Sequence, residues 1–183
     1  MKSIKELYRI GTGPSSSHTM GPRYASEIFL QKNPEARGFQ VILYGSLAAT
    51  GKGHLTDKAI ADVLDNEEHP LEIIWKSNVF LPFHPNGMTF RAIDSDGNEM
   101  DKWTVFSVGG GALAEEGKSE CESADVYAMD HMDDILAWCR KNGRTYWEYV
   151  EACEGKEIWD YLSKVWKTMR EAVERGIEAE GVL

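Results

Sequence analysis

FQVILY, Phe39 to Tyr44, constrains the fold more than any other stretch: a short, nearly continuous apolar run rich in strand formers, followed at once by glycine. Such a run reads as a central strand. Before it, Gly21 and Pro22 open a helix that runs to about Gln31, with Tyr24, Ala25, Ile28 and Phe29 at helical spacing and Asn33-Pro34 as the stop. After it comes a glycine loop, GSLAATGKGH from Gly45 to His54, and then TDKAIADVL, a helix that Thr56 or Asp57 can cap. An earlier loop, GPSSSHTMGP from Gly13 to Pro22, feeds the first helix in the same way. The chain therefore uses one device twice, a polar glycine loop leading into a helix.

The rest of the chain sorts into two blocks. LEIIW (Leu71 to Trp75), MTFRAI from Met88 and KWTVFSV ending at Val108 read as strands, the last two joined through an Asp96-Gly97 turn, and GGG from Gly109 closes the last strand. Glu115 to Asp125 is polar and reads as loop. Beyond Asp130 the pattern is helical: MDDILAWCRK is stopped by Asn142-Gly143, Thr145 and Glu148 form a capping box, and Ile158 to Ile177 gives an amphipathic helix of about five turns. The first ten residues suit a short helical turn docked on a core. The expected class is α+β, a sheet domain with packed helices over residues 1–130 and a helical extension over 131–183.

Charge and composition exclude several functions. A net charge of −10 over 183 residues opposes the basic field that nucleic acid or an anionic membrane surface attracts. No apolar run approaches the roughly 20 residues of a membrane span, and MKSIKELYRI lacks the apolar core of a secretory signal. The expected compartment is the cytoplasm. Cys121, Cys139 and Cys153 lie far apart with no CxxC spacing, and the five histidines are scattered, so no metal ligand is assigned in this chain.

Three polar clusters remain. GPSSSHTMGP lies too near the start to link two domains and lacks the GxSxG elbow of a serine nucleophile. It fits a cradle for a small anion: Ser15, Ser16, Ser17, His18 and Thr19 offer short donors ahead of a helix with free N–H groups. GSLAATGKGH supplies Ser46, Thr50, Lys52 and His54 after the central strand, where imidazole can move protons near neutrality. The alternative is a tight turn at Gly51 and Gly53 with Lys52 and His54 in solvent. HPNGMTF, from His84, is ordinary turn chemistry by itself. His69 and His131 sit in charged loops and receive no role.

LYRIGTGPSSSHTMGP, LYGSLAATGKGHLTDKAI, HPNGM and FSVGGGAL, in this order, resemble the β domain of bacterial iron–sulfur-dependent L-serine dehydratases over most of Ile4 to Leu113. MREAVERGIEAEGVL resembles the segment that leads to the family's catalytic α domain. The resemblance implies a lyase of amino-acid catabolism that converts L-serine to pyruvate and ammonia. Its 4Fe-4S cluster is held by α-domain cysteines beyond this chain, so no cluster is expected here. By carry-over, His54 is the proton-transferring base, and Lys52 tunes a neighbouring imidazole or holds the substrate carboxylate. Ser15, Ser16, Ser17, His18, Thr19 and Ser46 then surround the substrate. The family's β domain also resembles the allosteric substrate-binding domain of phosphoglycerate dehydrogenases, which implies an effector site with His84 and Asn86 as candidates. The implied partners are the α domain, L-serine and further copies in a homo-oligomer. The other reading is a regulatory module that binds L-serine or another small anion without chemistry. The carboxyl end, AEGVL, raises the expectation that the natural chain continues.

Overall fold

The computed structural model describes residues 1–66, 69–117 and 125–181. It comprises two compact units, one of residues 11–122 and one of residues 1–10 with 123–183.

The first unit is built on a five-stranded mixed sheet of order β2-β1-β3-β4-β5. FQVILY lies in β1 (Gly38–Tyr44), inside the sheet as expected, and β2 is Leu71–Lys76. These two pair in parallel, so the chain between them must cross back along the sheet, and it does so through α2 (Gly45–Thr50) and α3 (Thr56–Leu64). The strands β3 (Gly87–Ile93), β4 (Glu99–Gly109) and β5 (Ala112–Ala114) continue antiparallel.

Alternation along the strands sends Phe39, Val41 and Leu43 to the same face as their register partners Ala92, Phe90 and Met88. With Val105 they pack against Ala25 and Phe29 of α1 (Gly21–Lys32), Leu47 of α2, and Ile60 and Leu64 of α3. Phe29 stacks on Trp103 with its ring centroid 6.3 Å away, and Phe90 fills the space between them. The opposite face is mixed: buried Ile42 and Phe106 share it with Thr89, which meets Thr104 at 2.9 Å, and with Arg91, which donates to Gln40 at 3.1 Å.

Three local readings are corrected. The serine-rich stretch is a single π-helical turn, Ser16–Met20, running straight into α1. Gly45–Thr50 is the helix α2 rather than loop. Its first two N–H groups donate to the carbonyls of Val79 (2.9 Å) and Pro85 (3.1 Å), so a distant loop supplies the cap that the segment's own residues lack. Neither Thr56 nor Asp57 caps α3. Leu55 holds the cap position in the left-handed region at φ 55°, and the Thr56 hydroxyl goes elsewhere. The triple glycine ends β4 as expected and turns the chain into β5, with all three residues at positive φ.

The second unit packs α4 (Met132–Asn142), α5 (Tyr146–Glu154) and α6 (Ile158–Glu178) with a 3-10 turn at Ile4–Glu6. Gly143 takes the left-handed cap expected after Asn142, and the Thr145–Glu148 capping box forms. Tyr127, Cys139 and Tyr149 make a small core with Ile4, Ile135 and Trp138 around it. The Glu154 carboxylate closes the unit, accepting from the Ser3 hydroxyl at 2.7 Å, the Ile4 N–H at 2.8 Å and the Tyr127 hydroxyl at 2.8 Å. Burial acts to raise the Glu154 carboxyl, but these donors win and hold it below the usual carboxylate range. The same contact, added to burial, pushes the Tyr127 phenol up. Cys121 and most of the polar stretch from Glu115 to Asp125 lie outside the described residues. Among the described residues, no helix is long and apolar enough to cross a membrane.

Candidate active site

The sheet's register explains why the polar clusters meet. Leu43 near the end of β1 pairs with Met88 near the start of β3, and Gly87 at that start pairs with Phe106 near the end of β4. GSLAATGKGH, HPNG and the SVGGG turn therefore leave the sheet at one end, and contacts with Ser46 and Ser107 bring the π-helical turn to the same place.

His18 and His54 form the centre. Their ring centroids are 4.9 Å apart, with the planes tilted by 49°. His18 Nδ1 lies 3.2 Å from Ser17 Oγ, and Nε2 lies 3.1 Å from Ser46 Oγ. Burial first, and His54 second, push the His18 imidazole below its ordinary value, while a hydrogen bond to the Ser46 backbone works in the opposite direction. His18 is thus biased toward the neutral form.

The two histidines are held by crossed backbone ties. The Thr19 hydroxyl donates to the His54 carbonyl at 2.7 Å, and the Thr56 hydroxyl donates to the His18 carbonyl. Both threonines are buried, so neither bond competes with water. His54 is further fixed by its own N–H, which reaches the Gly51 carbonyl at 3.1 Å, a carbonyl that also accepts the Thr56 N–H at 2.8 Å. A side chain at Gly51 would collide with the Leu47 carbonyl at 2.2 Å, which is why this tight turn takes glycine.

Ser15 caps the π-helical turn: its hydroxyl accepts the His18 N–H at 3.1 Å, and its carbonyl takes the N–H groups of Thr19 and Met20. Ser15 also donates its N–H to Thr19 Oγ1 at 3.2 Å. The free amides expected ahead of α1 are therefore shifted back to Ser16 and Ser17, whose N–H groups have no partner among the described residues. Ser16 is exposed, and Ser17, His18, Ser46 and His54 are half-buried.

Lys52 is exposed, and its ammonium lies over the Trp75 ring, 5.8 Å from the centroid. The charged neighbour that acts on His18 is His54. His84 and Asn86 form a second locus. His84 Nδ1 accepts the Asn86 N–H at 3.1 Å, and the Asn86 side chain donates to the Ser107 carbonyl at 3.2 Å. Ser107 is fully buried, its hydroxyl has no partner among the described residues, and a side chain at Gly21 would come within 2.3 Å of it. The loci are joined through Pro85, whose carbonyl takes the Ser46 N–H.

Two residues of this network went unassigned in the sequence. Thr56 was legible only as a helix cap, and Ser107 lies inside FSVGGG with no signal but that motif. Among the described residues, no three His, Cys, Asp or Glu side chains converge as a metal-holding group, and Cys121 lies outside those residues.

A mixed five-stranded sheet with crossover helices and polar loops gathered at one end defines an α/β unit. The sequence pattern of the serine dehydratase beta chain family matches residues 3–72 and 67–118, and the chain belongs to that family. It is 32% identical, over all of its length and 51% of the relative, to an L-serine dehydratase of Haemophilus influenzae. Similar figures hold for an L-serine dehydratase of Streptomyces coelicolor (30%, 99% of this chain, 51% of the relative) and for L-serine dehydratase 1 of Escherichia coli (30%, 100% and 51%). The chain spans about half the length of these relatives.

Proposed function

We propose that this chain is the β part of an L-serine dehydratase, acting with a catalytic α part, in the same or a separate chain, to convert L-serine to pyruvate and ammonia. The observation that carries the reading is the convergence of His18, His54, Ser17 and Ser46, from two segments about thirty residues apart, on one polar site.

The chemistry asks for two things from such a site. The weakly acidic α-proton of serine must be removed, and the substrate must be held so that its β-hydroxyl can leave; the resulting enamine then hydrolyses to pyruvate and ammonia. His54 is the base, its imidazole placed by two backbone bonds rather than by its own side chain. Ser15, Ser16, Ser17, His18 and Ser46 surround the substrate, and Thr19 serves the same site by tying the loops. Lys52, free to swing from Trp75, holds the substrate carboxylate. The family's 4Fe-4S cluster belongs to the α part. The unit's fold is that of the allosteric substrate-binding domains of phosphoglycerate dehydrogenases, and the assembled enzyme is a homo-oligomer.

The test is His54→Ala in the complete enzyme. Loss of a general base costs roughly 10²- to 10⁴-fold in turnover, with the unfolding midpoint of the β part unchanged. Turnover near the wild-type rate would remove His54 from this role.

A second reading, regulation by a small carboxylic acid, is favoured by one observation: His84, Asn86 and the buried, unpartnered Ser107 hydroxyl lie together beside Gly21. Calorimetric titration of the chain with L-serine separates the two. Binding that survives His54→Ala but not Asn86→Ala marks an effector site at this second locus.

A further inference from the structure

The first ten residues precede the sheet unit in sequence but fold with the helices. The unit that holds α4, α5 and α6 consists of residues 1–10 and 123–183, and residues 11–122 of the sheet unit lie between these in sequence. The family pattern divides the chain differently. It takes in residues 3–72 and 67–118 and leaves the three helices out, although the Haemophilus influenzae dehydratase aligns with all of the chain. Residues 3–10 therefore fall within the β-chain pattern, and the helices they lie on do not.

Four kinds of contact hold this segment. The Met1 carbonyl accepts the N–H groups of Val126 (2.9 Å) and Tyr127 (3.0 Å), and the terminal ammonium donates to the Tyr127 carbonyl at 2.7 Å. The Ser3 hydroxyl accepts the Lys5 N–H at 3.1 Å and donates its own proton to the Glu154 carboxylate at 2.7 Å. The same carboxylate takes the Ile4 N–H at 2.8 Å, so one charged group on α5 makes two of the bonds, and such bonds are stronger than neutral ones. The Ile4 side chain packs on the small core of Tyr127, Cys139 and Tyr149. Farther along, the Tyr161 hydroxyl of α6 donates to the Tyr8 carbonyl at 2.6 Å.

We propose that residues 1–10 are a docking arm by which the β part grips the α part, of which α4, α5 and α6 are the first helices, with the Glu154 carboxylate as the arm's anchor. The naming of the partner as the α part rests on the dehydratase reading; the grip on the helices does not. The core of the sheet unit is drawn from residues between Ala25 and Leu113, so the arm can be altered without opening it.

A covalent link masks the strength of such a contact by keeping the effective concentration high, so the test cuts the link. A protease site inserted after Glu122 in the full chain lets the folded protein be cut into residues 1–122 and the remainder. The wild-type pieces should stay together on size exclusion at micromolar concentration. Ser3→Ala should weaken their association roughly tenfold, as expected for loss of a hydrogen bond to a charged group, and Tyr161→Phe less. Ile4→Asp should separate them. Circular dichroism of the uncut variants checks the fold; if Ile4→Asp loses helix, Ser3→Ala and Tyr161→Phe, which each remove only a hydroxyl, decide the matter. Wild-type pieces that fall apart, or variant pieces that hold as tightly as wild type, overturn the arm.

In the complete dehydratase cut at the same place, turnover of L-serine should be lost on dilution, at a concentration roughly tenfold higher in Ser3→Ala than in wild type. Loss at the same concentration in both would overturn the arm's hold on the α part. A complete protein that does not turn over L-serine before cutting sinks the dehydratase reading, and the size-exclusion result still decides the grip. Wild-type pieces that separate while the uncut protein is active do the reverse.

Discussion

The Thr19 hydroxyl donates to the carbonyl of His54 at 2.7 Å, and Thr56, two residues beyond His54, returns the bond to the carbonyl of His18. Each histidine is thus held by a threonine belonging to the other's segment. These two ties clamp the backbones and use no ring nitrogen, which suits rings that must meet a ligand without drifting.

Thr19→Val and Thr56→Val keep the shape of each side chain and remove one tie. Each should cost about 1 kcal/mol of stability, plus a penalty for the buried carbonyl left without a donor. The double variant should lose less than the sum, because breaking either tie loosens the same pair of segments. Urea unfolding of the four proteins measures this. A strictly additive result would mean that the ties act separately.

The depressed His18 imidazole makes a prediction with a definite sign. A histidine that binds its proton more weakly when folded contributes nothing above its unfolded value of about 6.5. It destabilises the fold as pH falls below that value, because the unfolded chain takes up the proton first. Burial is the larger cause and His54 the second, so His54→Gln should raise the His18 titration midpoint only part of the way to 6.5. An NMR titration of the His18 ring shows it. No upward movement would mean that the rings do not sense each other.

Gly45 is at φ +48°, and a side chain there would meet the Pro85 carbonyl at 2.6 Å and the Phe80 ring at 2.8 Å. Gly45→Ala should therefore cost more than the ~1 kcal/mol of left-handed strain alone, and should pull Ser46 away from Pro85. The expected readout is a lower melting temperature together with a changed His18 ring signal. A stable variant with an unchanged ring would show that the 77–86 loop yields without moving Ser46.

Glu154 should control acid stability in the three-helix unit. Its carboxyl is held below the ordinary value, so its stabilising contribution is complete above the unfolded value of about 4.3 and disappears as pH falls through the folded one. Glu154→Gln should flatten the stability curve between about pH 5 and 3. Denaturation followed by tyrosine fluorescence at several pH values tests this, and an unchanged slope would assign the acid sensitivity elsewhere.

The strands and long helices were readable because their signals are local: FQVILY in β1, the Asp96-Gly97 turn, the Thr145–Glu148 box and the Asn142-Gly143 stop are all written in adjacent residues. The helix at Gly45–Thr50 was not, since its glycine, serine and threonine disfavour helix and its cap comes from Val79 and Pro85, more than thirty residues away. The π-helical turn was hidden in the same way by three serines. For the site, sequence order indicated which segments carry polar chemistry, but not that the His18 ring reaches Ser46 or that Thr56 serves His18. Those pairings depend on the register of β1, β3 and β4, which no single segment encodes.

That register also sets the β3–β4 turn at the other end of the sheet. There, β3 and β4 are joined by the 94–98 hairpin, an exposed turn closed on itself by the Asp94 carboxylate, which accepts the N–H groups of Asp96 and Asn98 at 2.8 Å. A fluorophore or affinity handle inserted beside Gly97 would sit a full strand length from His18 and His54. The proposed substrate binding could then be followed on this protein without touching His18 or His54.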